Sequence, residues 1–198
     1  MKDRLLIGSA NAGKARELAE LLAGLSWTVL SLTDLPGVDA PAETGTTFAE
    51  NAALKARYYG DCFGTTCIAD DSGLMVDALD GAPGVLSARY AGGEADDAAN
   101  NEKLLEALEG LLWHERTARF VCCAAFYQPG SEVHFETGEV FGHIAAALSG
   151  NRGFGYDPLF VPEGYDKTFA EMSLEQKHGI SHRGNAFRKM RAWLETRS

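Results

Sequence analysis

The 198-residue chain has no apolar run approaching the roughly 18 residues needed to cross a bilayer. Met1-Lys2-Asp3-Arg4 leads directly into a strand-like segment, without the apolar core of a signal peptide. A cytoplasmic protein with no membrane partner is expected. Cysteine is sparse, with four residues, no C-x-x-C and no Cys/His quartet at zinc spacing, so reduced thiols are expected. Cys122 and Cys123 fall in the apolar segment from Arg119 to Tyr127, where cysteine behaves as a small apolar side chain. Cations are also short. With 18 Lys+Arg against 28 Asp+Glu, the net charge is −10 and the pI about 4.9, which argues against a nucleic-acid polymer as partner. A small polyphosphate stays open, because a few local donors and a divalent cation suffice to hold one. There is no repeat, linker or low-complexity tract, so one domain over residues 1–198 is expected.

What is present supports a packed α/β core. Hydrophobic residues make up 45% of the chain, and a chain of this length buries about 70% of its unfolded surface. Residues 4–9 read as a strand. Leu18, Leu21, Leu22 and Leu25 then repeat at the spacing of one buried helix face over residues 14–25. A second strand at 27–32 leads into a loop at 33–45. Thr47 and Glu50 have capping-box spacing for a helix running to about residue 59. A short strand at 66–69 is expected to end in a turn, Asp70-Asp71-Ser72-Gly73. Residues 97–109 form an amphipathic helix with Gly110 as its C-cap candidate. Two long strands, 118–128 and 132–145, are joined at Pro129-Gly130-Ser131 as a hairpin, and a strand at 159–161 precedes a final helix after Ser181-His182-Arg183. Helices alternating with strands early and a hairpin late predict a mixed sheet rather than a purely parallel one.

Three segments carry chemistry. Gly8-Ser-Ala-Asn-Ala-Gly-Lys14 fits the phosphate-cradling G-x-x-x-x-G-K pattern between strand and helix, but the following residue is Ala15, where a P-loop places a magnesium-binding Ser or Thr. Helix-terminal amides, Asn11 and the Lys14 charge still suit phosphate; an ordinary strand-to-helix turn accounts for the same residues equally well. Asp70 and Asp71, with Glu43 from the earlier loop, are hard oxygen donors suited to Mg²⁺, although D-D-S-G is also an ordinary turn sequence. Gly153-Phe-Gly-Tyr-Asp-Pro158 offers rings for base stacking, or simply a turn whose rings pack inward. Lys177, His182 and Arg183 cluster before the last helix, whereas His114, His134, His143 and His178 have no evident partner. The charge is uneven: residues 70–110 hold two cations against ten carboxylates, and residues 170–198 six cations against three.

Taken in order, these segments, together with Glu43-Thr-Gly45, Phe48-Ala-Glu-Asn-Ala-Ala-Leu-Lys55, Gly81-Ala-Pro-Gly84, Ser87-Ala-Arg-Tyr90 and Ile180-Ser-His-Arg-Gly184, resemble the inosine triphosphate pyrophosphatase family over nearly the whole chain. The resemblance implies an α/β enzyme with an elongated mixed central sheet flanked by helices, two lobes with a cleft between them, a homodimer, and Mg²⁺-dependent hydrolysis of non-standard purine nucleoside triphosphates (ITP, dITP, XTP) to the monophosphate and pyrophosphate. By motif position it implies that Ser9, Asn11, Gly13, Lys14 and Lys55 hold the triphosphate. Glu43 and Asp71, supported by Asp70, serve the metal, and Asp71 is the general base. Ser72 contacts substrate, while Phe154, Gly155, Tyr156, Asp157, Lys177, His182 and Arg183 form the base pocket. Two rival readings make different products: a P-loop-like NTPase or kinase would release orthophosphate or transfer a phosphoryl group, and a silent nucleotide-binding module would bind without turnover.

Overall fold

A computed structural model of the chain describes residues 3–93 and 96–197. The strands are β1 (Arg4–Ile7), β2 (Thr28–Ser31), β3 (Thr66–Val76), β4 (Thr117–Tyr127), β5 (His134–Ile144) and β6 (Phe160–Pro162). They form one sheet in the order β2-β1-β3-β4-β5-β6. β1 pairs in parallel with β2 and with β3, and β5 pairs antiparallel with β6, so the sheet is mixed as expected. The helices are α1 (Ala12–Leu21), α2 (Phe48–Phe63), α3 (Asp97–Ala107), α4 (Leu174–Ile180) and α5 (His182–Glu195). The chain divides into two compact units. The first comprises residues up to Asp71, Cys122–Gly138 and the residues from Arg183 onward; the second comprises Ser72–Val121 and Glu139–His182.

In the first unit, strand alternation distributes side chains to two helical layers, because successive residues of a strand point to opposite faces. Leu5, Ile7, Ile68, Cys122, Ala124 and Phe126 meet Leu18 of α1, its C-cap Leu22, and Ala186, Phe187, Met190 and Leu194 of α5. Each fully buried leucine of this layer contributes about 2 kcal/mol of transfer free energy. Phe126 is met edge-on by Trp27 and Trp193, with ring centroids 6.2 and 5.1 Å away. The intervening residues go the other way: Ala69, Ala125 and Tyr127 pack on Ala52 and Ala56 of α2, and Leu6 and Cys67 on Tyr59. α2 begins at the expected capping box, in which Glu50 N donates to Thr47 Oγ1 at 3.1 Å and Thr47 N to Glu50 Oε2 at 3.2 Å.

The second unit gathers Leu74, Val76, Leu104, Leu108, Phe120, Ile144, Tyr156, Phe160 and Phe169 into its own core. Phe160 lies between Phe120 and Phe169, with centroids 4.8 and 5.1 Å away. α3 ends at Ala107, and Leu108 rather than Gly110 is its cap. The buried Arg116 closes that end, donating to the Leu108 carbonyl at 2.9 Å and the Leu111 carbonyl at 3.1 Å.

Two departures from the sequence reading matter for the site. The expected turn at residues 70–73 does not form; β3 runs without a break from Thr66 to Val76. β1 pairs with it at Thr66–Ile68 and β4 is its neighbour on the other side, and its carboxylates find cations, so the local Asp-to-backbone bonds that favour a turn have no role. α4 was not anticipated, although Ser173 and Gln176 carry its capping box. All four cysteines are free thiols. Among the described residues, no helix is long and apolar enough to cross a membrane.

Candidate active site

The alternation that builds the two layers also separates the tandem acids. Asp70 shares a face of β3 with Ile68, toward α1 and α5, and Asp71 shares the other face with Ala69, toward α2. On the α2 face, Lys55 Nζ donates to Asp71 Oδ1 at 3.1 Å and to Glu43 Oε1 at 2.8 Å. Asn51, one helical turn before Lys55, donates from Nδ2 to Asp71 Oδ2 at 3.2 Å and accepts at Oδ1 from Gly45 N at 2.7 Å. Asn51 therefore ties the Glu43 loop to Asp71. That approach requires glycine at position 45, since a Cβ there would stand 2.6 Å from Asn51 Oδ1.

Burial pushes the Asp71 carboxyl up from its ordinary value of 3.8, with the Glu43 charge adding and Lys55 and Lys14 opposing. Burial alone would lower the Lys55 ammonium, but Asp71, Asp70 and Glu43 outweigh it and hold it above 10.5. The cluster thus pairs a fixed cation with a carboxylate of raised basicity, the property that a general base requires.

On the opposite face, the Asp70 Oδ2 lies 3.6 Å from Lys14 Nζ and accepts from Arg183 Nε and Nη2, each at 3.4 Å. Arg183 Nη1 also donates to Glu17 Oε2 at 2.6 Å, so one buried guanidinium bridges acids from α1 and β3. Burial opposes the Arg183 charge, and Asp70 and Glu17 more than restore it. Asp70 thus lies on the face of β3 opposite the Glu43–Asp71 cluster, because adjacent strand residues face apart. Arg183 meets two carboxylates of the first unit.

At the start of α1, Asn11 is the N-cap, its Oδ1 accepting from Lys14 N at 2.9 Å. Ser9, Asn11, Gly13 and Lys14 thus surround the first turn, with the Lys14 side chain 17% exposed. Glu43 and Asp71 fit a hard divalent cation: their oxygens already converge on one positive point, the Lys55 ammonium. Among the described residues no group of three or more His, Cys, Asp or Glu side chains could hold a metal. A two-carboxylate set is what a magnesium-like ion takes when substrate phosphates and waters complete its shell.

The second unit assembles the other expected cluster. Asp157 Oδ2 accepts from Lys177 Nζ at 2.8 Å and from Phe154 N at 2.9 Å, and the buried Lys177 ammonium lies 4.9 Å from the Phe154 ring centre. Tyr156 Oη donates to the Ser87 carbonyl at 2.9 Å, and the His182 ring stacks on Phe120 at 4.7 Å. Ser72 lies half-buried in β3. Gly153 has φ +75°, and a Cβ there would collide with the Asp157 carboxylate. Gly153→Ala is therefore expected to cost about 2–3 kcal/mol, read as a lower urea midpoint with an unchanged m-value.

Similarity to known proteins agrees with the α/β fold. Residues 5–193 match the Ham1 family. The chain belongs to the Ham1 family. This Ham1-family chain is 48% identical over 194 residues, 98% of each chain, to a dITP/XTP pyrophosphatase of Oceanobacillus iheyensis. It is 53% identical over 187 residues to one of Listeria monocytogenes, covering 94% of this chain and 92% of the relative. Its fold is similar to the Ham1 protein of Staphylococcus aureus, with TM-score 0.88, 43% identity, and 99% and 100% of the two chains covered. It is also similar to a nucleoside-triphosphatase / dITP/XTP pyrophosphatase of Mycobacterium abscessus, with TM-score 0.77, 43% identity, and coverage of 94% and 98%.

Within the candidate site of this Ham1-family chain, sequence reasoning missed Asn51 and Glu17. Asn51 was legible as the i−4 neighbour of Lys55 on one helix face, and Glu17 as the i+3 neighbour of Lys14. Two histidines read as lacking partners have them: His134 stacks on Trp193 at 3.8 Å with Nε2 3.1 Å from Glu136 Oε1, and His143 stacks on Trp113 at 4.7 Å.

Proposed function

We propose that this chain is a dITP/XTP pyrophosphatase, hydrolysing ITP, dITP and XTP between the α- and β-phosphates to the nucleoside monophosphate and pyrophosphate, and so keeping these bases out of DNA and RNA. The observation that carries the reading is the Lys55 ammonium shared by Glu43 Oε1 and Asp71 Oδ1, an acid pair of the kind that a metal-assisted phosphoanhydride hydrolase needs. The names of its Oceanobacillus and Listeria relatives support it.

Mg²⁺, held by Glu43 and Asp71, would supply positive charge that attenuates repulsion between the polyphosphate and the attacking water. Lys14, Lys55, Ser9, Asn11 and the amides around Gly13 bind the phosphate oxygens at the first turn of α1. Asp71 takes a proton from the water as its oxygen bonds to the α-phosphorus, while the bridging P–O bond breaks and pyrophosphate leaves. Asn51, donating to Oδ2, fixes the carboxylate plane for that transfer.

In the second unit, the Phe154 ring stacks on the base within the frame set by Gly155, Tyr156 and Asp157, and Ser72 contacts substrate. Lys177, His182 and Arg183 supply donors to the base, and with the Arg183 guanidinium toward the purine 6-oxo group the adenine amino group would set donor against donor and leave buried groups unpaired. The same reading makes the protein a cytoplasmic homodimer, testable by its sedimentation mass.

The deciding assay incubates the protein with Mg²⁺ and ITP, XTP, ATP or GTP and measures pyrophosphate and orthophosphate separately. Pyrophosphate from ITP and XTP, about 10²-fold faster than from ATP, is expected. Orthophosphate without pyrophosphate would favour the P-loop reading, and binding without either product a silent module.

A further inference from the structure

The segment containing Phe154 is held from outside by α3, at a single peptide unit on each side of Gly155. Asp97 Oδ2 accepts from Gly155 N at 2.7 Å, and Asn101 Nδ2 donates to the Gly155 carbonyl at 2.9 Å. Asp97 and Asn101 are i and i+4 on α3, and Asn101 Nδ2 also donates to the Asp97 carbonyl at 2.7 Å. One helix face therefore presents an acceptor and a donor spaced to the N–H and C=O of one residue. Gly155 stands between Phe154 and Tyr156. The bonds to the Asp157 side chain, from Phe154 N and Lys177 Nζ, and that from Tyr156 Oη to Ser87 anchor the flanking residues. The α3 clamp completes the set, leaving the backbone on both sides of Phe154 fixed.

Asn101 also carries a sign that its amide is kept for more than packing. It is 5% exposed, and among the described residues its Oδ1 has no hydrogen-bond partner. A buried acceptor without a partner costs stability, and a leucine of similar size would not incur that cost. The neighbouring Asn100 shows the contrast: its Oδ1 accepts from Ala91 N at 2.7 Å and its Nδ2 donates to the Ala88 carbonyl at 3.2 Å, so both ends are used. Asn101 accepts an imbalance in order to donate to Gly155.

We propose that Asp97 and Asn101 are positioning residues for purine recognition: by clamping Gly155 at both its N–H and its C=O, they set the Phe154 ring as a rigid stacking surface for the base. They touch neither the base nor the reacting phosphates, and the inference rests on the pyrophosphatase reading above. A preformed ring surface lowers the ordering cost of binding, so the clamp governs KM and leaves the phosphate chemistry in the first unit untouched.

The test compares Asp97→Ala, Asn101→Leu and Asp97→Asn with the unaltered protein in steady-state pyrophosphate release from ITP, alongside amide hydrogen exchange at Phe154 and Gly155 without nucleotide. Asp97→Ala and Asn101→Leu are expected to raise KM about 10-fold with kcat within about twofold, and to speed exchange at Gly155 or Phe154 at least about 10-fold. Asp97→Asn keeps an oxygen acceptor for Gly155 N and is expected to restore KM to within about threefold. Asn101→Leu removes the unpaired acceptor, so a thermal midpoint that is unchanged or higher together with a raised KM separates positioning from structural loss. Faster exchange with unchanged KM, or equal falls in kcat for both variants, overturns the clamp. An unaltered protein that releases no pyrophosphate from ITP or XTP overturns the activity reading, and this inference with it.

Discussion

Asp71→Asn is expected to lower pyrophosphate release from ITP about 10²–10⁴-fold while nucleotide affinity changes less than about threefold. Asparagine keeps the size of the side chain and an oxygen that can face Lys55 Nζ or Asn51 Nδ2, but it cannot take the proton of water. The pH dependence sharpens the assignment. Burial pushes the Asp71 carboxyl above 3.8, with Glu43 adding to it and the two lysines opposing. Activity should therefore fall, as pH drops, at a higher pH than for an ordinary carboxylate, and that acidic limb should disappear in the residual rate of the variant. The sign for stability is the reverse of the usual surface Asp. A folded value above the unfolded one means that protonation favours the folded state at low pH, and the ionised carboxylate costs stability once pH exceeds its folded value. At pH 7 to 8, Asp71→Asn should therefore unfold at the same temperature as the unaltered protein or a higher one. Loss of turnover without loss of stability marks a group kept for chemistry, and near-normal turnover would remove Asp71 from the role of base.

Much of this arrangement was legible in the residues, and the illegible part has a physical cause. The Thr47/Glu50 capping box and the leucine face of α1 are local signals, and both elements form close to where that spacing puts them. The residues brought to the Lys55 cluster, Glu43 and Asp71, are those that hard-oxygen chemistry singles out. The tandem acids were misread because D-D-S-G also suits a turn in isolation, and the choice is made by the sheet: β1 pairs with β3 at Thr66–Ile68, just before the acids, and β4 is its neighbour on the other side. Once residues 70 and 71 are in a strand, the period of two separates them without further argument. The Arg183–Glu17 bond joins residues 166 apart in sequence, and no spacing rule reaches that far. α4 was missed for a different reason: seven residues give too little periodicity to stand out, so its Ser173–Gln176 cap was the only local trace.

Arg183→Leu is expected to destabilise the protein by about 3–5 kcal/mol, because removing one partner of a buried ionic group leaves the others uncompensated. For a chain of this size that is a fall of roughly 6–20 °C in thermal midpoint. Glu17 is 5% and Asp70 1% exposed, so neither can turn to water, and leucine supplies no donor to either. Glu17→Leu in the Arg183→Leu background should therefore recover a good part of the loss, a non-additivity that exceeds what two independent packing changes would show. Arg183→Lys separates charge from geometry: a single ammonium presents no planar fork to reach two acids on different elements, and about half of the deficit should remain. A variant set in which Arg183→Leu melts within about 2 °C of the unaltered protein would show that this guanidinium does not hold α1, β3 and α5 together.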